Sequence, residues 1–206
     1  IYLSGHPLEK YRNIMEKMIS ARTIDFQPDD ETGIPKVYDG QKVIIGGMIT
    51  EKTIKYTRNN KVMAFLTVED LMGTVEIVVF PRDYEKWQTL INEDARVFIQ
   101  GRVNAEDDKP SKLILEKVRA FDDIPREIWI QFKDREDYAQ KEQELLNYLR
   151  GSVGTSAVVI YLKDVKAIKR LPAGYHVQIS EFLIEELKKK YGESNVKVVE
   201  RVLKNF

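Results

Sequence analysis

The chain has 206 residues, 43% of them hydrophobic and 32% charged, with 33 basic and 33 acidic side chains. This composition suits a folded globular chain of one large or two small domains, not a disordered one. With no cysteine, disulfides and thiolate metal sites are excluded, and His6 and His176 stand too far apart in sequence to suggest a zinc centre. No metal or cofactor is therefore expected.

No apolar run approaches the roughly 20 residues that span a bilayer, so a membrane role is not expected. The opening IYLSGHPLEKY lacks the basic-then-apolar pattern of a signal peptide. The first residue is Ile1 and not methionine, which leads to the expectation of a piece of a longer, cytoplasmic protein. Charge is also balanced along the chain. Residues 1–40 carry 5 basic and 7 acidic side chains, residues 41–122 carry 13 of each, and residues 123–206 carry 15 and 13. A dedicated duplex-binding protein is usually basic. Any nucleic-acid contact here must rest on local placement and stacking.

The first predicted element is a helix. Pro7 suits a first turn, Ser4 or His6 can cap it, and Leu8, Tyr11, Ile14, Met15, Met18 and Ile19 fall at helical spacing. Residues 23–40 read as an extended connector with turns at Asp29-Asp30 and Asp39-Gly40. From Lys42 the period becomes two, and the first strand runs through Tyr56, with Gly46-Gly47 suggesting a bulge or a sharp coil where the sheet must bend. A polar loop, Arg58-Asn59-Asn60-Lys61, leads into the hairpin VMAFLTVEDLMGTVEIVVFP, residues 62–81. Ala64, Leu66 and Val68 alternate with Phe65, Thr67 and Glu69, and Val75, Ile77 and Val79 with Glu76, Val78 and Phe80. A short helix over Arg82–Ile91, a strand over Arg96–Val103, an acidic loop and a strand over Lys112–Phe121 follow.

Five strands with a helix between the third and fourth match the order of the OB-fold, a partly open five-stranded Greek-key barrel. The chain then predicts a strand at 128–132, a helix at 134–150, strands at 157–162 and 175–179, a helix at 181–191 capped by Ser180 and ended by Gly192, and a strand at 196–199. The fold class is α+β with an all-β centre. The expected domains are an N-terminal helix and connector at 1–40, the barrel at 41–122 and an α+β domain at 123–206.

Barrels of this kind carry ligands across strands two and three, with the loops joining strands one–two and four–five as side walls. Phe65 is then a stacking platform for a base, Thr67 a hydrogen-bonding neighbour, and Glu76 an acceptor for an exocyclic amine. Lys52, Lys55, Tyr56, Arg58 and Lys61 are expected at the first wall, and Arg102 and Lys112 at the other. The competing reading of Phe65 is packing beneath a neighbouring segment. Trp87, Tyr84 and Phe98 are expected in the core. Asp29-Asp30-Glu31 reads as turn chemistry and not as a magnesium site. Gly151-Ser152-Val153-Gly154 precedes a strand and gives no phosphate-cradling loop.

Three stretches carry a family resemblance: YLSGHPLEKY (2–11), VIIGGMI (43–49) and MAFLTVEDLMGTVEIVVF (63–80). Together they resemble the C-terminal part of the alpha subunit of bacterial DNA polymerase III, a C-family replicative polymerase, from Tyr2 to about Val199. The MAFLTVED stretch is also similar to anticodon-binding barrels of class II aminoacyl-tRNA synthetases, which lack the SGHPL lead. The resemblance implies a barrel that contacts single-stranded DNA template and a terminal domain that docks a replisome partner, in some branches the clamp-loader tau subunit. Val202, Leu203 and Phe206 are the partner-binding candidates. The family's magnesium-binding polymerase carboxylates have no counterpart in this chain, so the fragment is expected to be non-catalytic although its parent is a DNA-directed DNA polymerase. The alternatives are a protein-interaction module whose barrel face packs on another domain or subunit, and an RNA anticodon-binding barrel.

Overall fold

The computed structural model describes residues 7–105 and 109–201. These divide into two compact units, one ending at Asp123 and one over Ile124–Arg201. Among the described residues no helix is long and apolar enough to cross a membrane.

The first unit begins with a 3-10 turn, Glu9–Tyr11, that runs into helix α1, Arg12–Met18. Strands β1 (Lys42–Tyr56), β2 (Val62–Glu69) and β3 (Thr74–Val79) follow, then helix α2 (Pro81–Trp87), β4 (Arg96–Asn104) and β5 (Lys112–Ala120). The strands close into a barrel in the order β1-β2-β3-β5-β4, with β3 and β5 parallel and the other pairs antiparallel. This is the expected OB-fold. Its interior is filled by alternate residues of every strand, among them Ile45, Leu66, Ile77, Ile99 and Leu113. Fully burying such a side chain contributes about 1.5–3 kcal/mol.

Several expectations are corrected. The register break in β1 lies between Ile49 and Glu51, not at the glycine pair. The glycines serve close approach instead: a Cβ on Gly47 would stand 2.4 Å from the Glu69 carbonyl oxygen, and one on Gly46 2.9 Å from the Phe98 ring. The connector, expected as an extended run with turns, also contains a 3-10 turn and packs on the barrel. Thr23–Phe26 forms a 3-10 turn, and Phe26 and Val37 belong to the barrel core. The buried Asp70 carboxylate ties it down, accepting from the Thr23 amide (2.9 Å) and hydroxyl (2.6 Å) and from the amides of Met72 (2.7 Å) and Gly73 (3.1 Å). Helix α2 ends four residues earlier than expected, at Trp87. The expected Ser4 and His6 caps lie outside the described residues.

The second unit holds a four-stranded sheet in which the first strand in chain order lies between the last and the second, and the third lies at the far edge beside the second. Its elements are β6 (Arg126–Phe132), α3 (Arg135–Arg150), β7 (Val158–Leu162), β8 (Ala167–Arg170), α4 (Glu181–Tyr191) and β9 (Val196–Glu200). The Ser180 cap forms as the sequence predicts, its side chain accepting from Leu183 N, and Gly192 ends α4 at φ +100; Asp134, expected as the first residue of α3, is instead its cap and accepts from Asp137 N. The strand expected at 175–179 is corrected. Ala173–Tyr175 is a 3-10 turn, and only Val177 makes a bridge, to Ser156. The strand beside β7 is β8 instead. At four residues, following a turn with Lys166 at φ +51, it is too short to show a period.

Candidate nucleic-acid interface

Outward-facing residues of the barrel meet two different fates. On β4, Phe98 points out of the barrel between inward Val97 and Ile99, yet it is fully buried. Its ring lies 4.3 Å from that of Phe121, and the Phe121 ring lies 4.9 Å from that of Tyr11, so the N-terminal segment seals this side. On β2, Phe65 also points outward, between buried Ala64 and Leu66, and it remains half-buried with its ring facing outward.

The strand registers build the surface around Phe65. In one row it stands opposite Thr53 of β1 and Val78 of β3, and Val78 stands opposite Ile114 of β5. In the next row Thr67 stands between Glu51 and Glu76. The Thr67 hydroxyl donates to Glu51 Oε2 at 3.2 Å. The Glu76 carboxylate is met by the Lys112 ammonium at 2.6 Å. Both partners of that pair are well exposed, and such pairs contribute about 0–1 kcal/mol, so an incoming group could open it. The Lys55 ammonium stands 4.9 Å from the centroid of the Phe65 ring. A cation held over an exposed ring is worth about 0.5–1 kcal/mol, less than a stacked base supplies.

The remaining candidates are placed as follows. Arg58 and Lys61 are exposed in the turn between β1 and β2, where Asn60 takes φ +55 and the Thr57 amide donates to the Lys61 carbonyl at 2.9 Å. Among the described residues neither is in an ion pair. Lys52 does not join Phe65. Its backbone amide donates to Glu93 Oε1 and its ammonium to Asn92 Oδ1, each at 3.2 Å, and it lies 5.5 Å from the Tyr84 ring. Tyr56, 70% exposed and opposite Val62, shares the side of Lys52. The cause is the register break after Ile49, which inverts the alternation of β1 and sends Glu51, Thr53 and Lys55 to the Phe65 side. Arg102 lies on the outer side of β4, where Glu116 faces it at 3.4 Å and also meets Lys42 at 3.6 Å.

The structure thus brings Phe65, Thr67, Glu76, Lys55 and Lys112 onto one surface, with Arg58 and Lys61 at its end, and leaves Lys52 and Tyr56 on the reverse. Val202, Leu203 and Phe206 lie outside the described residues. Sequence reasoning missed Glu51, Thr53 and Ile114 on this surface, because they come from strands whose pairing only the register reveals. Elsewhere Trp87 reaches back to the barrel, donating from Nε1 to the Glu116 carbonyl at 3.2 Å. The Asp29 carboxyl is held below its usual range by the amides of Glu31 and Thr32 that it accepts, as a turn requires.

Residues 43–120 match the family model of the OB-fold nucleic acid binding domain. The chain is similar to part of the DNA polymerase III alpha subunit. It is 26% identical to that subunit of Bacillus subtilis over 95% of this chain, and 24% identical to that of Escherichia coli K12 over 96% of it. It spans 17% of the length of each of these curated relatives. Among solved structures it is similar to the SSB domain of a Synechococcus sp. protein, at 16% identity and a TM-score of 0.35, covering 40% of this chain and 97% of that one. It is also similar to asparaginyl-tRNA synthetase from Pyrococcus horikoshii, at 20% identity and a TM-score of 0.35, covering 63% of this chain and 28% of that one.

Proposed function

We propose that this chain is a non-catalytic, template-binding portion of a bacterial replicative DNA polymerase, acting in the cytoplasm. The barrel binds single-stranded DNA across β2 and β3, and the second unit docks a replisome partner. The observation that carries this reading is Phe65, an outward aromatic on a strand whose neighbours leave it open. A base stacks on its ring, displacing the Lys55 ammonium towards the phosphate on the same nucleotide. Thr67 and the Glu51–Glu76 row face base edges, since carboxylates repel phosphate but accept from exocyclic amines. Arg58 and Lys61 meet the backbone as it leaves the face, as electrostatic contacts without sequence choice. With so few cations in reach, affinity is modest and its dependence on salt is shallow.

Fluorescence anisotropy with labelled single-stranded and duplex oligonucleotides of one sequence tests this. The expected result is preference for the single strand, lost on combining Phe65→Ala with Arg58→Ala and Lys61→Ala. No binding at low salt, with capture of a protein subunit by the same face, would transfer the surface to the protein-interaction reading. Preference for a structured tRNA loop over single-stranded DNA would transfer it to the anticodon-binding one.

A further inference from the structure

The sheet of the second unit has two unlike faces. One carries Ile128, Ile130 and Phe132 of β6 into a core shared with α3 and α4. On the other face, β6 presents Glu127, Trp129 and Gln131, none of them beneath these helices. Register places Lys197 of β9 directly beside Trp129 on one side and Val159 on the other, with Arg170 of β8 beside Val159. Tyr161 of β7 stands beside Gln131. Trp129, Gln131 and Tyr161 are half-buried and Lys197 is exposed.

These residues line a cavity of about 190 Å³ together with Asn195, whose Oδ1 accepts from Gln131 Nε2 at 3.4 Å. The cavity therefore has two aromatic rings, two side-chain amides and a cation. The carboxylate that β6 adds to this face is already committed. Glu127, 4% exposed, accepts from Trp129 Nε1 at 3.0 Å and from the Arg170 guanidinium. The first bond fixes the indole in place, and the second leaves Arg170 with donors to spare. The helices carry charge of both signs, and their acids are largely neutralised: Asp137 by Lys141, Glu144 by Lys190 and Glu186 by Lys189. The sheet face thus combines stacking surface with positive charge, the complement of a single strand and not of an acidic peptide's apolar anchors.

We propose that this sheet face is a second surface for single-stranded nucleic acid. One base stacks on Trp129 inside the cavity with Tyr161 beside it. The Gln131 amide meets the base edge, held from behind by Asn195, whose Nδ2 donates to the Tyr191 carbonyl at 2.8 Å, and Lys197 and Arg170 meet the adjoining phosphates. The surface is independent of the barrel, and its test is arranged to keep the two apart.

The chain has two tryptophans, Trp87 and Trp129, hence two indole N–H resonances that Trp87→Phe assigns. The full chain carrying Phe65→Ala, to weaken the barrel site, is titrated with a short single-stranded oligonucleotide at low salt. The expected result is a saturable shift of the Trp129 indole signal. In the same background Trp129→Ala weakens binding roughly 5- to 150-fold, the range for loss of one stacked base. Lys197→Glu, at an exposed site that leaves folding intact, weakens it as well. A Trp129 signal unmoved at saturating oligonucleotide, or Lys197→Glu without effect, would overturn the proposal. So would a response of Trp129 to a protein subunit alone. Failure of the barrel reading leaves the Trp129 response standing.

Discussion

Phe98 and Phe65 stand on the outside of the same barrel, one on β4 and the other on β2, each flanked by inward-facing aliphatic residues. One is fully buried under Tyr11, Phe121 and the N-terminal segment, and the other is half-buried with the Lys55 ammonium 4.9 Å from its ring. The N-terminal helix seals one side of the barrel, whereas on the other Phe65 stays half-buried beside buried Val78. An outward aromatic is therefore not by itself a binding residue: what separates packing from recognition is whether another segment arrives to cover it. Gly46 shows how closely the covered side is built, since Phe98 and Ile19 occupy the space where a Cβ would go.

Five substitutions would break or sharpen this contrast. Phe98→Ala should act on stability alone, costing about 3–5 kcal/mol as a buried aromatic truncation does. Urea denaturation would read the loss, and oligonucleotide affinity per folded molecule should be unchanged. Asp70→Ala strands the donors of Thr23, Met72 and Gly73 that anchor the connector, at about 1–3 kcal/mol for each donor left without a partner. Its unfolding midpoint should fall well below wild type, again without direct effect on the open face. Phe65→Ala should do the reverse, removing about 1–3 kcal/mol of single-strand binding with a smaller loss of stability. If Phe65→Ala proved as destabilising as Phe98→Ala and left binding intact, the two phenylalanines would be equivalent. The smallest effects belong to the charges. Arg58→Ala and Lys61→Ala should each reduce the slope of log affinity against log salt by about 0.7 for every phosphate no longer neutralised.

Much of the fold was legible because it rests on periods. The alternation of residues 62–79 fixed both the hairpin and the outward position of Phe65, and Ser180 and Gly192 bounded α4. What escaped the sequence depended on partners. The register break after Ile49 has no local signature, since the residues around it alternate smoothly. Yet it decides that Lys55 and not Lys52 shares a face with Phe65. The glycine pair announces itself in sequence, but its reason, the Glu69 carbonyl of β2 and the Phe98 ring of β4, lies in other strands. Strand β8 is too short to declare a period, and the burial of Phe26 and Val37 arises only once the connector folds across the barrel. The aromatic sheet face of the second unit was hidden for the same cause: Trp129, Tyr161 and Lys197 come together only through strand pairing.

The central claim is that the Phe65 side of the barrel, and not its sealed side, receives a single strand. Backbone amide shifts mapped during titration with a single-stranded oligonucleotide test it directly. The account predicts saturable shifts on β2, β3 and the turn at 57–61, centred on Phe65 and Thr67, with the amides around Phe98 and Phe121 unmoved. A titration that perturbs the Phe98 side and leaves β2 and β3 silent would contradict it.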